Sequence, residues 1–316
     1  MTIHVIFLLL GLVLLYWGAE GLVRGSSSIA LRLGVTPLVI GLTVVAFGTS
    51  APEMVVSIKS AYLEQGDIAL GNVIGSNIFN VAVILGLSAA IRPLAVKVQL
   101  IKFDAPIMII VSLLLLVIFR NGYLGRVEAA LLFTGVVTYT IVNIIMARKE
   151  TNPEVTAEFA EGTPHESRSL LKDLAFIIGG LALLVLGARF LVDSAVAMAR
   201  VWGVSEAVIG LTIIAAGTSM PELATSVIAA IRKESDIAIG NIVGSNIFNI
   251  LAILGVAGLV KPLNAGGINL VDFYLMIALA ILLLPMMITG KKITRWEGLV
   301  LMAVYAGYLY WLWPSS

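Results

Sequence analysis

The sequence contains no cysteine and only two histidines. Disulfides, thiolate metal sites and cysteine nucleophiles are therefore excluded. His4 and His165 stand apart from any other catalytic side chain, so histidine-based catalysis has no support. Charge is scarce too: Asp, Glu, Lys and Arg make up 12% of the residues, about half of the ~25% typical of soluble proteins. A formal net charge of +1 offers no electrostatic case for nucleic acid. Hydrophobic residues reach 59% and the mean hydropathy is +1.04. A soluble domain could neither bury that much apolar surface nor cover itself with so few charges. A soluble enzyme, a disordered chain and a secreted disulfide scaffold are all ruled out. The composition is that of an integral membrane protein.

A helix that crosses a bilayer needs about 20 mostly apolar residues. Such runs lie at about 3–22, 36–61, 68–91, 103–119, 126–146, 172–193, 205–231, 237–260, 270–289 and 296–313, ten in all. They are apolar on every side, whereas barrel strands alternate, so the prediction is an all-α bundle in which strands are unlikely. The first run has no positive leading segment and is long for a signal-peptide core, so it reads as a retained helix. Residues 147–171 interrupt the pattern with two prolines and Glu150, Glu154, Glu158, Glu161 and Glu166. They read as a solvated linker, and without calcium-loop spacing the glutamates favour solvation over regulatory calcium binding. With the N-terminus outside, every Lys and Arg except Lys59, Arg120, Arg126, Arg189, Arg200 and Lys261 falls on the cytoplasmic side. That bias predicts that both termini face outward.

The sequence also repeats itself. Gly48-Thr-Ser-Ala-Pro-Glu53 returns 169 residues later as Gly217-Thr-Ser-Met-Pro-Glu222, and Gly71-Asn-Val-Ile-Gly-Ser-Asn-Ile-Phe-Asn80 returns as Gly240-Asn-Ile-Val-Gly-Ser-Asn-Ile-Phe-Asn249. Between 43–86 and 212–255 there are 23 identities in 44 gapless positions. The expected organisation is a first five-helix repeat over 1–147, a cytoplasmic linker over 148–169 and a second repeat over 170–316. Five spans per repeat is an odd number, so the second copy must enter the membrane from the opposite side. Inverted repeats of this kind place substrate sites near the bilayer midplane, on interrupted helices.

Glu53 and Glu222 lie inside the second and seventh runs with no Lys or Arg in either motif. A carboxylate at membrane depth costs at least about 2.5–3.5 kcal/mol, so a bound cation or protons must compensate the pair. Pro52 and Pro221 each remove a backbone donor, and the nearby Gly48 and Gly217 tolerate an unwound turn. Thr49, Glu53 and Ser57 share one helical face, as do Thr218, Glu222 and Ser226. Asn72, Ser76 and Asn80 form a second polar face, matched by Asn241, Ser245 and Asn249. The set offers carboxylate, hydroxyl, amide and carbonyl oxygens, which suit hard cations such as Ca²⁺ rather than zinc, copper or iron. One Ca²⁺, two Na⁺ or two protons would each balance the two carboxylates, and that equivalence suggests an exchanger.

These two motif pairs resemble the signature α-repeats of the calcium/cation antiporter superfamily, and most closely its prokaryotic sodium/calcium exchanger branch. The resemblance covers the whole chain. It implies a ten-helix transporter with no resident cofactor and no obligatory protein partner, exchanging Na⁺ for Ca²⁺. By the same resemblance Glu53 and Glu222 would hold calcium with oxygens of Thr49 and Thr218. Flanking sodium sites would use the Ala46 and Ala215 carbonyls with Ser50, Ser219, Ser76 and Ser245, while Asn80 and Asn249 complete the centre. The first and sixth helices would slide across the site. Some relatives carry an aspartate where this chain has Asn249; the amide leaves the middle uncharged and argues against potassium dependence.

Plainer roles fit several other residues. Asp67 and Asp236 read as helix N-caps, and Gly71/Gly75 and Gly240/Gly244 as close helix-packing pairs. Asn77 and Asn246 read as structural partners of carbonyls freed in the broken helices. Glu20 and Arg24 read as an end-of-helix ion pair, and the Trp and Tyr at 305–313 as an interfacial belt. Among competing functions, a proton-coupled calcium antiporter is the alternative. A channel would favour a ring of identical subunits over one pseudo-symmetric site. An intramembrane hydrolase using Ser50 or Ser219 lacks a general base, and without a phosphate-binding loop transport must run on ion gradients.

Overall fold

The computed structural model describes residues 2–149, 169–202 and 215–312. Residues 150–168 of the expected linker, His165 among them, and the first part of the seventh run lie outside the described residues, while the first two linker positions, 148 and 149, continue α6. Among those residues the chain is almost wholly helical: α1 (Thr2–Leu33), α2 (Pro37–Thr49), α3 (Ala51–Tyr62), α4 (Gly66–Ile91), α5 (Leu100–Asn121), α6 (Arg126–Lys149), α7 (Leu170–Val201), α8 (Ala215–Gly217), α9 (Met220–Ile231), α10 (Ser235–Val260), α11 (Leu270–Ile288) and α12 (Arg295–Leu312). Seven of these helices are long and apolar enough to cross a membrane, or eight if the bent pair α2–α3 is one span. The sequence reading has ten runs. The two others correspond to α9, whose N-terminal flank is outside the described residues, and to α12, which opens on Arg295 and Glu297 and is less apolar.

The outer helices α1 and α7 are each 32 residues long, about 48 Å at 1.5 Å per residue. That exceeds a hydrocarbon core of about 30 Å and requires tilt or protrusion. They pack along their lengths through glycine. A Cβ on Gly11 would meet the Gly187 carbonyl at 2.8 Å, and one on Gly18 would meet the Gly180 carbonyl at 2.8 Å. Backbone touches backbone there, so no larger residue fits. Arg32 Nε lies 3.2 Å from Asp173 Oδ2 at one end of the same contact.

Glu20 corrects the sequence reading. It forms an ion pair with Arg24 at 2.5 Å, but it sits in the interior of α1, is buried, and also meets Arg232 beyond the end of α9, which donates one hydrogen bond from Nε at 2.9 Å and places Nη2 at 2.6 Å. This is an inter-helix clamp.

The central helices are α4 and α10, with α10 buried continuously from Ile237 to Phe248. Each carries one wide π-helical stretch, at Asn80–Leu85 and at Asn249–Ile253, and such insertions cluster at functional sites. Gly240 and Gly244 allow α2 to approach α10, since added Cβ atoms would meet Leu38 and Leu42 carbonyls at 3.0 and 2.7 Å. Gly71 and Gly75 show no comparable backbone approach among the described residues. Outside this centre, Tyr139 donates to Asp104 at 2.9 Å and Tyr308 to Asp272 at 2.8 Å, so one aspartate–tyrosine bond ties α5 to α6 and another ties α11 to α12.

Short strands do occur, against expectation. β1 (Leu94–Ala95) pairs with β4 (Lys292–Ile293), and β2 (Tyr123–Leu124) with β3 (Leu263–Asn264), both antiparallel. At two residues each they carry no alternation to read, and they link the connections of the first repeat to those of the second. Asp67 is not an N-cap either: its carboxylate accepts the Gly267 N–H at 2.9 Å, and Gln65 occupies the cap position. Glu234 occupies the cap before Asp236. Lys261 lies 2.5 Å from the exposed Glu64 and holds its carboxyl below the usual range.

Candidate functional site

The second run bends by 48° between α2 and α3. The break is Ser50, at φ −80° and ψ 8°, with Pro52 two residues on; Ser219 breaks α8 from α9 at φ −88° and ψ 12°, with Pro221 following. Proline lacks the N–H that would continue the helix. Each break places a glutamate in the first turn of the new helix, Glu53 on α3 and Glu222 on α9. Both are 1% exposed. Neither makes an ion pair with Lys or Arg among the described residues.

The two repeats brace each other's carboxylates. Ser50 Oγ donates to Glu222 Oε1 at 2.8 Å, and Ser219 Oγ donates to Glu53 Oε1 at 2.8 Å. Ser76 Oγ on α4 lies 3.3 Å from Ser219 Oγ. The backbone carbonyls of the glutamates are held as well. Asn72 Nδ2 donates to the Glu53 carbonyl at 3.1 Å and to Ser57 Oγ at 3.0 Å; Asn241 Nδ2 donates to the Glu222 carbonyl at 3.4 Å and to Ser226 Oγ at 2.9 Å. Thr49 Oγ1 has three acceptors in reach for one proton: the Val45 carbonyl at 3.0 Å, the Ala46 carbonyl at 3.3 Å and Asn241 Oδ1 at 3.0 Å.

Among the buried side-chain oxygens left unpaired in the described residues, six belong to the two repeated motifs. Glu53 Oε2, Glu222 Oε2, Asn80 Oδ1, Asn249 Oδ1, Thr218 Oγ1 and Ser245 Oγ are all buried without a hydrogen-bond partner among the described residues. Buried polar atoms are normally paired, and an unpaired one costs about 1–3 kcal/mol. Six unpaired oxygens in the two duplicated motifs are chemically suited to a dehydrated hard cation, which accepts carboxylate and neutral oxygens together. No group of three or more His, Asp or Glu able to hold a metal occurs among the described residues. The neutral oxygens must therefore complete any coordination shell.

Of the residues expected from the sequence, hydrogen bonds bring together Glu53, Glu222, Ser50, Ser219 and Ser76. The Ala46 carbonyl accepts the Ser50 N–H at 3.1 Å and keeps a second lone pair. Ala215 is the first described residue of α8. Asn72 and Asn241 belong to the bracing of the glutamate backbone rather than to the set of unpaired oxygens. Asn77 and Asn246 do bond carbonyls, but those of each other on α4 and α10 rather than those of the broken helices. Sequence reasoning missed the serine–glutamate exchange between repeats, and the only signal for it was that Ser and Glu recur together in both copies.

Comparison with known proteins adds the following. Residues 3–145 and 172–313 match the family described as "Sodium/calcium exchanger protein". The chain is 35% identical to the sodium/calcium exchanger MaX1 of Methanosarcina acetivorans, covering 98% of both chains. It is 34% identical to the inner membrane protein YrbG of Escherichia coli, covering 99% of both. Among solved structures it is similar to the sodium-calcium exchanger NCX_Mj soaked with 10 mM Na⁺ and 10 mM Sr²⁺, with a TM-score of 0.85, 33% identity, and coverage of 98% of this chain and 99% of that one.

Proposed function

The chain belongs to the sodium/calcium exchanger protein family, and from that premise we propose that it moves Ca²⁺ across the membrane in exchange for Na⁺ by alternating access. The observation that carries this reading is the set of six buried, unpaired oxygens contributed by both copies of the repeat. In this reading Glu53, Glu222, Thr49 and Thr218 hold calcium. Ser50, Ser219, Ser76, Ser245 and the carbonyls of Ala46 and Ala215 serve the flanking sodium ions, and Asn80 and Asn249 lie between. The ten apolar runs form two inverted five-helix repeats joined by a cytoplasmic linker, with both termini outside.

Charge supplies the exchange logic. The two glutamates carry −2, which one Ca²⁺ or two Na⁺ neutralise. A dry, unneutralised pair costs at least about 2.5–3.5 kcal/mol per carboxylate at membrane depth. The occupied site is therefore the form that crosses between the two faces, and an empty return is suppressed. The serine bonds hold Oε1 of each carboxylate in place while Oε2 stays available, so the site keeps its shape when one cation replaces another.

The test is radiolabelled calcium uptake into sodium-loaded proteoliposomes diluted into sodium-free buffer, with Glu53→Gln and Glu222→Gln as controls. Uptake that needs the sodium gradient and is abolished in both variants is the expected result. Uptake that ignores sodium and follows a pH gradient would reassign the coupling to protons. Wild-type rates in both variants would overturn the site.

A further inference from the structure

We infer that Asn77 and Asn246 are positioning residues that set the amides of Asn80 and Asn249 so that oxygen, and not nitrogen, is turned toward the cation. This rests on the reading of the Glu53–Glu222 cluster as the transport site. The argument begins at a group whose polarity is fixed. A backbone carbonyl can only accept a hydrogen bond. The side-chain end of Asn77 that lies 3.2 Å from the Asn246 carbonyl and 3.7 Å from Met276 Sδ faces two acceptors, so it must be the NH₂ end. Its Oδ1 is then the atom 3.0 Å from Asn249, which must present Nδ2 there. Asn249 Oδ1 is the atom that remains, buried and unpartnered among the described residues.

The other copy runs the same way. Asn246 Nδ2 faces the Asn77 carbonyl at 3.4 Å and Met108 Sδ at 3.6 Å, its Oδ1 accepts from Asn80 Nδ2 at 3.0 Å, and Asn80 Oδ1 is left without a partner. Amide orientation is ordinarily a choice among networks; here each choice is forced by a main-chain carbonyl one step away. Each relay also changes repeat at every step, from carbonyl to bracing amide to the amide at the site. Turning either end amide over would place an N–H donor against a cation and an oxygen against an oxygen.

The experiment is calcium uptake in sodium-loaded proteoliposomes for wild type, Asn249→Ala, Asn77→Ala and the double variant. Each single variant is expected to raise the half-saturating calcium concentration by about ten-fold, the cost of one lost buried bond. Because Asn77 acts through Asn249, the double variant should exceed Asn249→Ala by no more than about two-fold. Effects that multiply to about a hundred-fold would overturn the inference and make Asn77 merely structural. Asn77→Asp gives a second reading that does not depend on the alanine variant folding. A neutral carboxyl at 77 donates to the Asn246 carbonyl and accepts from Asn249, as the amide does, whereas an ionised one sets oxygen against oxygen. Its rate relative to wild type should therefore climb toward one as pH falls, and a flat ratio would overturn the inference. Wild-type protein without sodium-dependent calcium uptake would instead bring down the exchanger reading, and this inference with it.

Discussion

Ser50 and Glu222 stand 172 residues apart in the sequence and are joined by a hydrogen bond of 2.8 Å in the centre of the protein. Ser219 and Glu53 make the reciprocal bond at the same length. A hydroxyl that donates to a buried carboxylate fixes one oxygen and leaves the other to be satisfied elsewhere.

Ser50→Ala and Ser219→Ala should each weaken calcium binding, because a buried bond to a charged group is worth about 1.5–3 kcal/mol. The half-saturating calcium concentration in proteoliposome uptake should rise by about ten-fold or more in each. The two variants should be similar in size, since the bonds are reciprocal. A large effect in one and none in the other would show that the braces are not equivalent.

Glu20 ties α1 to the end of α9 through Arg232. Arg232→Gln leaves the buried carboxylate with Arg24 alone. Arg232 is itself partly exposed, so the loss is screened and should be about 1–2 kcal/mol. A thermal unfolding curve in detergent checks this, and Lys233→Gln serves as a neighbouring control expected to shift the midpoint little.

Gly18→Ala should be destabilising, because its methyl group would lie 2.8 Å from both the Gly180 carbonyl and the Leu184 backbone nitrogen, which cannot move aside as a side chain could. Gly179→Ala, one residue along the facing helix, places its methyl group in open space and should be neutral or slightly stabilising. The pair of midpoints tests whether α1 and α7 meet through backbone.

Tyr139→Phe removes the hydroxyl that donates to the fully buried Asp104. The expected loss is about 1–3 kcal/mol of stability. Asp104→Leu combined with Tyr139→Phe should recover only part of it, since Asn143 and Gln99 also bond the Asp104 carboxylate and lose an acceptor. Full recovery would show that the Tyr139 bond alone matters to this junction of α5 and α6.

The glutamates were legible in the sequence because a carboxylate inside an apolar run is costly, and two at repeat-equivalent positions are hard to explain as packing. The breaks at Ser50 and Ser219 were legible through Pro52 and Pro221. What could not be read was which oxygen meets which hydrogen. Asn72 and Asn80 lie on one face of α4, yet one braces the Glu53 backbone and the other bonds Asn246 and leaves its oxygen unpaired; only the approach of α3 and α10 separates them. The Glu20 clamp depends on Arg232, 212 residues away, and no local spacing encodes such a distance. The two-residue strands have no period at all. Asp67 looked like a cap because it opens a helix, and the Gly267 N–H that claims it comes from a distant connection.

The crossed serine–glutamate bonds also bear on how such a sequence can change over time. In a duplicated protein each copy is ordinarily free to drift once the other carries the load. Here neither copy is self-sufficient: the carboxylate of one is finished by the hydroxyl of the other, and the side-chain amide of Asn80 or Asn249 in one is held by an amide of its counterpart. A substitution in either copy is felt by both. Divergence is thus penalised at the same positions twice, and the longest unbroken identity between the copies, Gly-Ser-Asn-Ile-Phe-Asn, spans the asparagines that reach across.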